Sequence, residues 1–184
     1  MRRLVTIIGL GIMSLGALAA CGGSAGPTLT LEQYFAEFQR IAGEAEADFN
    51  ATPTRTPLPA GAADDDRIAR ARLLYEDIVA SQKSFYDELV EITPPSEAKD
   101  AHDAFLGAGD ESIRFFQGIV DSSRFDEFSL ALEAAETNEE RRQAYEIAGV
   151  GSYDPIEARL NAACLEIAAI ATQHSIDFTL CDDD

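Results

Sequence analysis

Two histidines and three cysteines are the side chains best suited to hold a metal, a haem or a redox couple in this 184-residue chain. His102 is followed directly by Asp103, and His174 lies three residues before Asp177. Each imidazole–carboxylate pair could hold a single metal ion, and the two imidazoles together could ligate a haem iron from facing helices. The spacing argues for less. There is no Cys-x-x-Cys-His, so covalent haem attachment is excluded, and no Cys-x-x-Cys for dithiol redox work. Bundles that hold two irons use Glu-x-x-His on two helices, and no Glu-x-x-His occurs; Glu97 and His102 are five apart. The expectation is two ordinary surface or helix-capping histidines, no resident cofactor and no metal.

The acidic runs Asp64-Asp65-Asp66 and Asp182-Asp183-Asp184 lack the alternation and central glycine of a calcium loop. Consecutive acids on a helix point to different sides, so they read as solvated ends. No His-Glu-x-x-His is present. Carboxylate pairs such as Glu44/Glu46 and Glu139/Glu140 are abundant, but abundance does not make them converge. We expect no catalytic residues, and the balance leans away from an enzyme.

Cys21 has a different setting. Arg2-Arg3 precede the uncharged run Leu4–Ala20, which closes on Leu18-Ala19-Ala20-Cys21 and opens into Gly22-Gly23-Ser24-Ala25-Gly26-Pro27. A basic start, an apolar stretch shorter than the ~20 residues of a bilayer span and small residues before the cut are the marks of an export signal. The segment resembles a bacterial lipoprotein signal peptide with its lipobox. That resemblance implies cleavage before Cys21, acylation of Cys21 and a place at the cell envelope, outside the cytoplasmic membrane and held by its lipid. More than one acyl chain makes such an anchor stable. An uncleaved membrane anchor and a cleaved signal without lipid are the alternatives, and Arg2-Arg3 leave twin-arginine export open beside the general route. On this reading residues 1–20 are removed, and both methionines, Met1 and Met13, go with them, which ends the case for a His/Met haem. Residues 21–29 form the lipidated cysteine and a flexible tether. Cys164 and Cys181 are left as two thiols in an oxidising compartment, where such a pair becomes a disulfide. The bridge would close a loop of ~17 residues and contribute about 3 kcal/mol in the chain-entropy account.

The chain carries 33 acidic and 14 basic residues, a net charge of −19, and loss of Arg2 and Arg3 makes it more negative still. Nucleic acid is excluded, because phosphates need Lys and Arg to displace their counterions. A polybasic lipid-binding face is excluded for the same reason. The acidity reads as a solubilising exterior ahead of a device for recruiting cations or basic partners.

The positioning elements are helical. Residues 30–184 read as one all-α domain, a bundle of four or five main helices with a Pro-rich loop at 50–63. Thr30 with Gln33 is a capping box ahead of Leu31, Tyr34, Phe35, Phe38, Ile41, Ala42, Ala45 and Phe49 at helical spacing. From Asp64 to Ile92 the residues Ile68, Ala71, Tyr75, Ile78, Gln82, Phe85, Leu89 and Ile92 alternate spacings of three and four, one stripe along a partner helix. Thr93-Pro94-Pro95-Ser96 ends that helix, with Ser96 expected to cap a third helix that turns Ala98, Ala101, Phe105, Ala108, Ser112, Phe115, Phe116 and Ile119 inward. A shorter helix follows from Phe125 to Ala135, and Thr137 with Glu140 caps another. Asp154 is expected as N-cap of the last helix, with Pro155 at its first position and Ile156, Leu160, Ala163, Ile167 and Ile170 on its apolar face. Residues Ile176–Leu180 read as a short extended tail tied back by the bridge.

Two local patterns, Pro94-Pro95-x-Glu97-x4-His102-x2-Phe105 and Cys164-Leu165 with Ile176-Asp177-x2-Leu180-Cys181, resemble uncharacterised helical envelope lipoproteins of GC-rich bacteria. The resemblance supports the disulfide and brings no activity, ligand or site residue. The function expected is a lipid-anchored, extracytoplasmic, non-enzymatic module that binds or scaffolds an envelope protein partner. The alternative is a small-molecule binder with an apolar pocket between the aromatic-rich helices, which carry Tyr34, Phe38, Tyr75, Phe85, Phe105 and Phe128.

Overall fold

The computed structural model describes residues 28–51 and 61–181, and every structural statement below is made of those residues. Cys21, the signal segment, the tether up to residue 27, the centre of the Pro-rich loop and Asp182–Asp184 lie outside them. The architecture is all-α: α1 Leu31–Ala51, α2 Asp64–Val90, α3 Lys99–Val120, α4 Phe125–Ala134, α5 Asn138–Ala148 and α6 Asp154–Gln173. Four helices have 20 residues or more, and α4 and α5 have 10 and 11, so the bundle has four long members and a short pair packed on each other. No described helix is long and apolar enough to cross a membrane.

Local chemistry explains most of the boundaries. The Thr30 hydroxyl accepts the Gln33 N–H at 3.3 Å, and the Gln33 carbonyl oxygen accepts the Thr30 N–H at 3.0 Å, a complete capping box on α1. Thr137 and Glu140 repeat it on α5, at 3.2 and 2.9 Å. Helix α5 ends on Gly149 at a φ of 80°, the left-handed conformation that costs glycine nothing. Two expected caps are corrected. Ser96 does not cap α3, which begins at Lys99 after Ala98, because its hydroxyl donates to the Glu97 carboxylate instead. Asp154 is the first helical residue of α6, and Tyr153 takes the cap position. Asp64–Asp66 open α2, where the helix dipole favours negative charge.

The apolar faces meet in two cores. The first gathers Tyr34, Phe35, Phe38 and Ile41 of α1, Leu89 and Ile92 at the end of α2, Ala101 and Phe105 of α3, Ala163, Ile167 and Ala171 of α6, and Phe178 and Cys181 of the tail. The second joins Tyr75 of α2, Phe115 and Ile119 of α3, Phe125 and Phe128 of α4, and Ala144 and Ala148 of α5. Helices α2 and α3 run through both. A polar layer separates them: the buried Ser112 hydroxyl donates to the Gln82 carbonyl oxygen at 3.2 Å and meets the Tyr153 hydroxyl at 3.0 Å. Gln82, which breaks the apolar stripe of α2, is half-buried here with a defined partner.

Candidate functional site

The disulfide is present. Cys164 on α6 and Cys181 in the tail are bridged with their Cα atoms 5.4 Å apart. The chain reaches that position by turning after α6. Ser175 adopts a φ of 57°, the Ile176 N–H returns to the Ala171 carbonyl at 2.9 Å, and the tail then runs without helix to Cys181. Phe178 is thereby pressed into the first core, its ring centre 5.0 Å from Phe35 and 5.7 Å from Phe38. The Gln39 amide donates to the Asp177 carbonyl at 3.1 Å, a second tie between tail and α1.

The two histidines part company. His102 is not a surface residue: it is 2 % exposed, against the expectation of a surface or capping role. Its Nδ1 lies 3.1 Å from the hydroxyl of Tyr34, itself 0 % exposed. Burial pushes the imidazole below its ordinary pKa; Asp103 opposes that shift, Lys99 adds to it, and a backbone hydrogen bond at Leu89 opposes it. Burial pushes the Tyr34 phenol well up. Asp103 itself is exposed and ion-paired with Lys99, so His102 and Asp103 form no joint site. His174 is exposed, follows α6 and attracts the carboxylates of Glu32 and Glu97. A two-imidazole iron site would find the Nδ1 of its first ligand already bonded to Tyr34. Among the described residues no three His, Cys, Asp or Glu side chains gather as a metal cluster.

The sequence reading passed over two catalytic spellings. Ser96-Glu97-Ala98-Lys99 has the Ser-x-x-Lys spacing, but the Ser96 hydroxyl is bonded to Glu97 and the Lys99 ammonium to Asp103, so serine and lysine are not a pair. Gly22-Gly23-Ser24-Ala25-Gly26 has the Gly-x-Ser-x-Gly spacing and lies outside the described residues. The sequence reading also missed Tyr34 as the partner of His102. Only the burial of His102 had a signal: it falls four residues after Ala98 and three before Phe105, on the inward stripe itself.

Most of the aromatic side chains expected to line a pocket pack on one another. Phe38 meets Phe105 at 5.5 Å, Tyr86 meets Phe105 at 5.6 Å and Phe85 meets Tyr86 at 4.9 Å between ring centres. Tyr75 meets Phe128 at 5.4 Å, and Phe115 meets Phe116 at 5.4 Å and Tyr153 at 5.0 Å. Most are tilted or edge-on, the arrangement the ring quadrupoles favour. One largely apolar groove of about 330 Å³ lies between α1 and α2, lined by Ala42, Ala45, Phe49, Ile78 and Phe85 with Glu46, Ser81 and Gln82 beside them. The exterior is otherwise crossed by ion pairs such as Arg40 with Glu37 and Glu44, and Arg142 with Glu139 and Glu146. No family model, curated protein or solved structure matches the chain.

Proposed function

We propose that the chain is a lipid-anchored, extracytoplasmic helical module that works by docking an envelope protein partner rather than by catalysis. The observation that carries this reading is the Cys164–Cys181 bridge, which suits an oxidising compartment, taken with the lipobox-like Leu18-Ala19-Ala20-Cys21. Acylated Cys21 holds the module to membrane lipid. Every buried side-chain nitrogen and oxygen among the described residues already has a hydrogen-bond partner. Chemistry offered to a second molecule therefore lies on the exterior, where Leu73, Val90, Leu165 and Leu180 stand exposed among charges.

Intact mass of the chain drawn from its own membrane tests the anchor: diacyl or triacyl mass on Cys21 is expected, and Cys21→Ser should release the protein into the surrounding fluid. An unacylated, cleaved chain would overturn the anchor. Crosslinking on intact cells tests the docking: a discrete partner lost on charging Leu73 or Leu165 supports it, and a clean monomer under saturating crosslinker overturns it.

The α1–α2 groove favours a second reading, a binder of small apolar molecules. Native mass exceeding denatured mass by one discrete ligand would bring that reading forward; equal masses would remove it.

A further inference from the structure

Tyr34 comes from α1, the helix into which Cys21 and its tether lead, and His102 comes from the first turn of α3. Both are buried, and the hydrogen bond between them fastens one helix to the other inside the first core. Nδ1 of His102 and the Tyr34 hydroxyl meet as two neutral groups 3.1 Å apart. A neutral imidazole has one N–H and one bare nitrogen. A second ring proton makes the imidazole a cation, a new charge set in an apolar core.

We propose that the Tyr34–His102 pair is an acid-sensitive latch: neutral His102 holds α1 against α3, and protonation of the ring releases α1. The groups around the ring leave the new charge uncompensated. From α1 comes Tyr34 alone, from α2 the uncharged Leu89 backbone, and from α6 Ile167 and Ala171 of the same core. On α3 itself Asp103 and Lys99 pair with each other and act on the ring in opposite senses. Glu32, Glu97 and His174 lie outside the core, exposed at that end of the bundle. Backbone hydrogen bonds first, and then Thr30 and Ser96, hold the Glu32 and Glu97 carboxyls below the usual range, so both stay charged through the window that matters.

The sign follows from burial, which depresses the ring's pKa in the latched state. Above about pH 6.5, the ordinary histidine value, neither state binds the proton and the latch is at full strength. Below it the released state takes up a proton that the latched state does not, and release grows by up to ~10-fold per pH unit until the ring protonates in place. Release would bare Phe35 and Phe38 of α1.

The test follows amide exchange along α1 in the oxidised chain and in His102→Asn, each pair compared at the same pH from 7.5 to 5. The ratio of wild-type to variant exchange should climb below about pH 6.5, by up to ~10-fold per unit. A ratio that stays flat across that range overturns the latch. Ring-nitrogen NMR of the wild type, with His174→Gln to leave one ring in view, keeps the proposal testable should His102→Asn fail to fold. A His102 ring that stays neutral well below about pH 6.5 while the chain is folded supports the latch; one that titrates at or above that value sinks it.

Discussion

In the first core α1, α3, α6 and the tail are joined by a covalent bridge, a buried imidazole–phenol hydrogen bond and the wedge of Phe178. In the second core α4 and α5 carry no bridge and no buried pair of that kind. Phe125 and Phe128, both fully buried, are set against each other and Tyr75 at 5.4–6.0 Å between ring centres, and Arg72 lies 4.1 Å over the Phe125 ring while donating to the Val120 carbonyl. The difference has a source in element length. A helix of 20 residues such as α6 brings several turns of apolar face to its neighbours, whereas α4, with 10, has room for little more than its two phenylalanines. Short helices have no standing of their own in water, so α4 and α5 exist because those rings are buried. One end of the bundle is tied by a covalent bridge and a buried imidazole–phenol bond, and the other by packed rings rimmed by the Arg67–Glu133 and Arg72–Asp126 ion pairs.

The sharpest way to break that comparison is Phe128→Ala. Removing a fully buried ring should cost about 3–5 kcal/mol, read as a shift in the urea midpoint. Hydrogen exchange should show α4 and α5 losing protection first while α6 and the tail keep theirs. Uniform loss along the chain would mean that the two cores open as one. Reduction of the bridge, or Cys181→Ser, is the complementary cut. It should cost about 3 kcal/mol, with exchange rising around Phe178 and the end of α6 and unchanged in α4 and α5.

Most of the helical frame was legible in the sequence because its signals are local. Capping boxes at Thr30 and Thr137 and the prolines after Thr93 fix chain direction within a turn; the ends of α1 and α2 move by one or two residues, and the caps expected of Ser96 and Asp154 fall to Ala98 and Tyr153. Helix α1 continues through Ala51, into the segment read as loop, and α2 stops at Val90 rather than Ile92. The pairing of partners was not legible. Nothing near His102 names Tyr34, 68 positions away; its spacing on the inward stripe of α3 marks the ring for burial but not the group it would meet. The division into two cores was equally hidden, because one apolar stripe on α2 serves both and Gln82 looks like a flaw in it. Only the third dimension shows Gln82 receiving Ser112, with Tyr153 arriving from the start of α6.

The junction between the cores offers a smaller test. Gly109 on α3 is buried, and a β-carbon there would strike the ring of Tyr86 on α2. Gly109→Ala should therefore push the ring aside and cost about 1–3 kcal/mol, as overpacking does. Added to Tyr86→Leu, which removes the obstacle, the same change should cost much less. The coupling between the two positions is the quantity to measure. Additive costs would mean that α2 and α3 yield at this crossing without the ring being the stop.

The smallest effect bears on how much a local bond adds to the second core. Thr137 caps α5 by accepting the Glu140 N–H, and Glu140 returns the bond to the Thr137 N–H. Thr137→Ala leaves the buried faces Ala144 and Ala148 untouched and should cost about 1 kcal/mol. If α5 is held chiefly by its burial against Tyr75, Phe115 and Phe128, exchange should rise only in its first turn, and the urea midpoint should move far less than with Phe128→Ala. A loss as large as that of the missing ring would mean that the cap decides whether α5 forms at all. The second core would then be bound as specifically as the first, and the contrast between the two ends would fail.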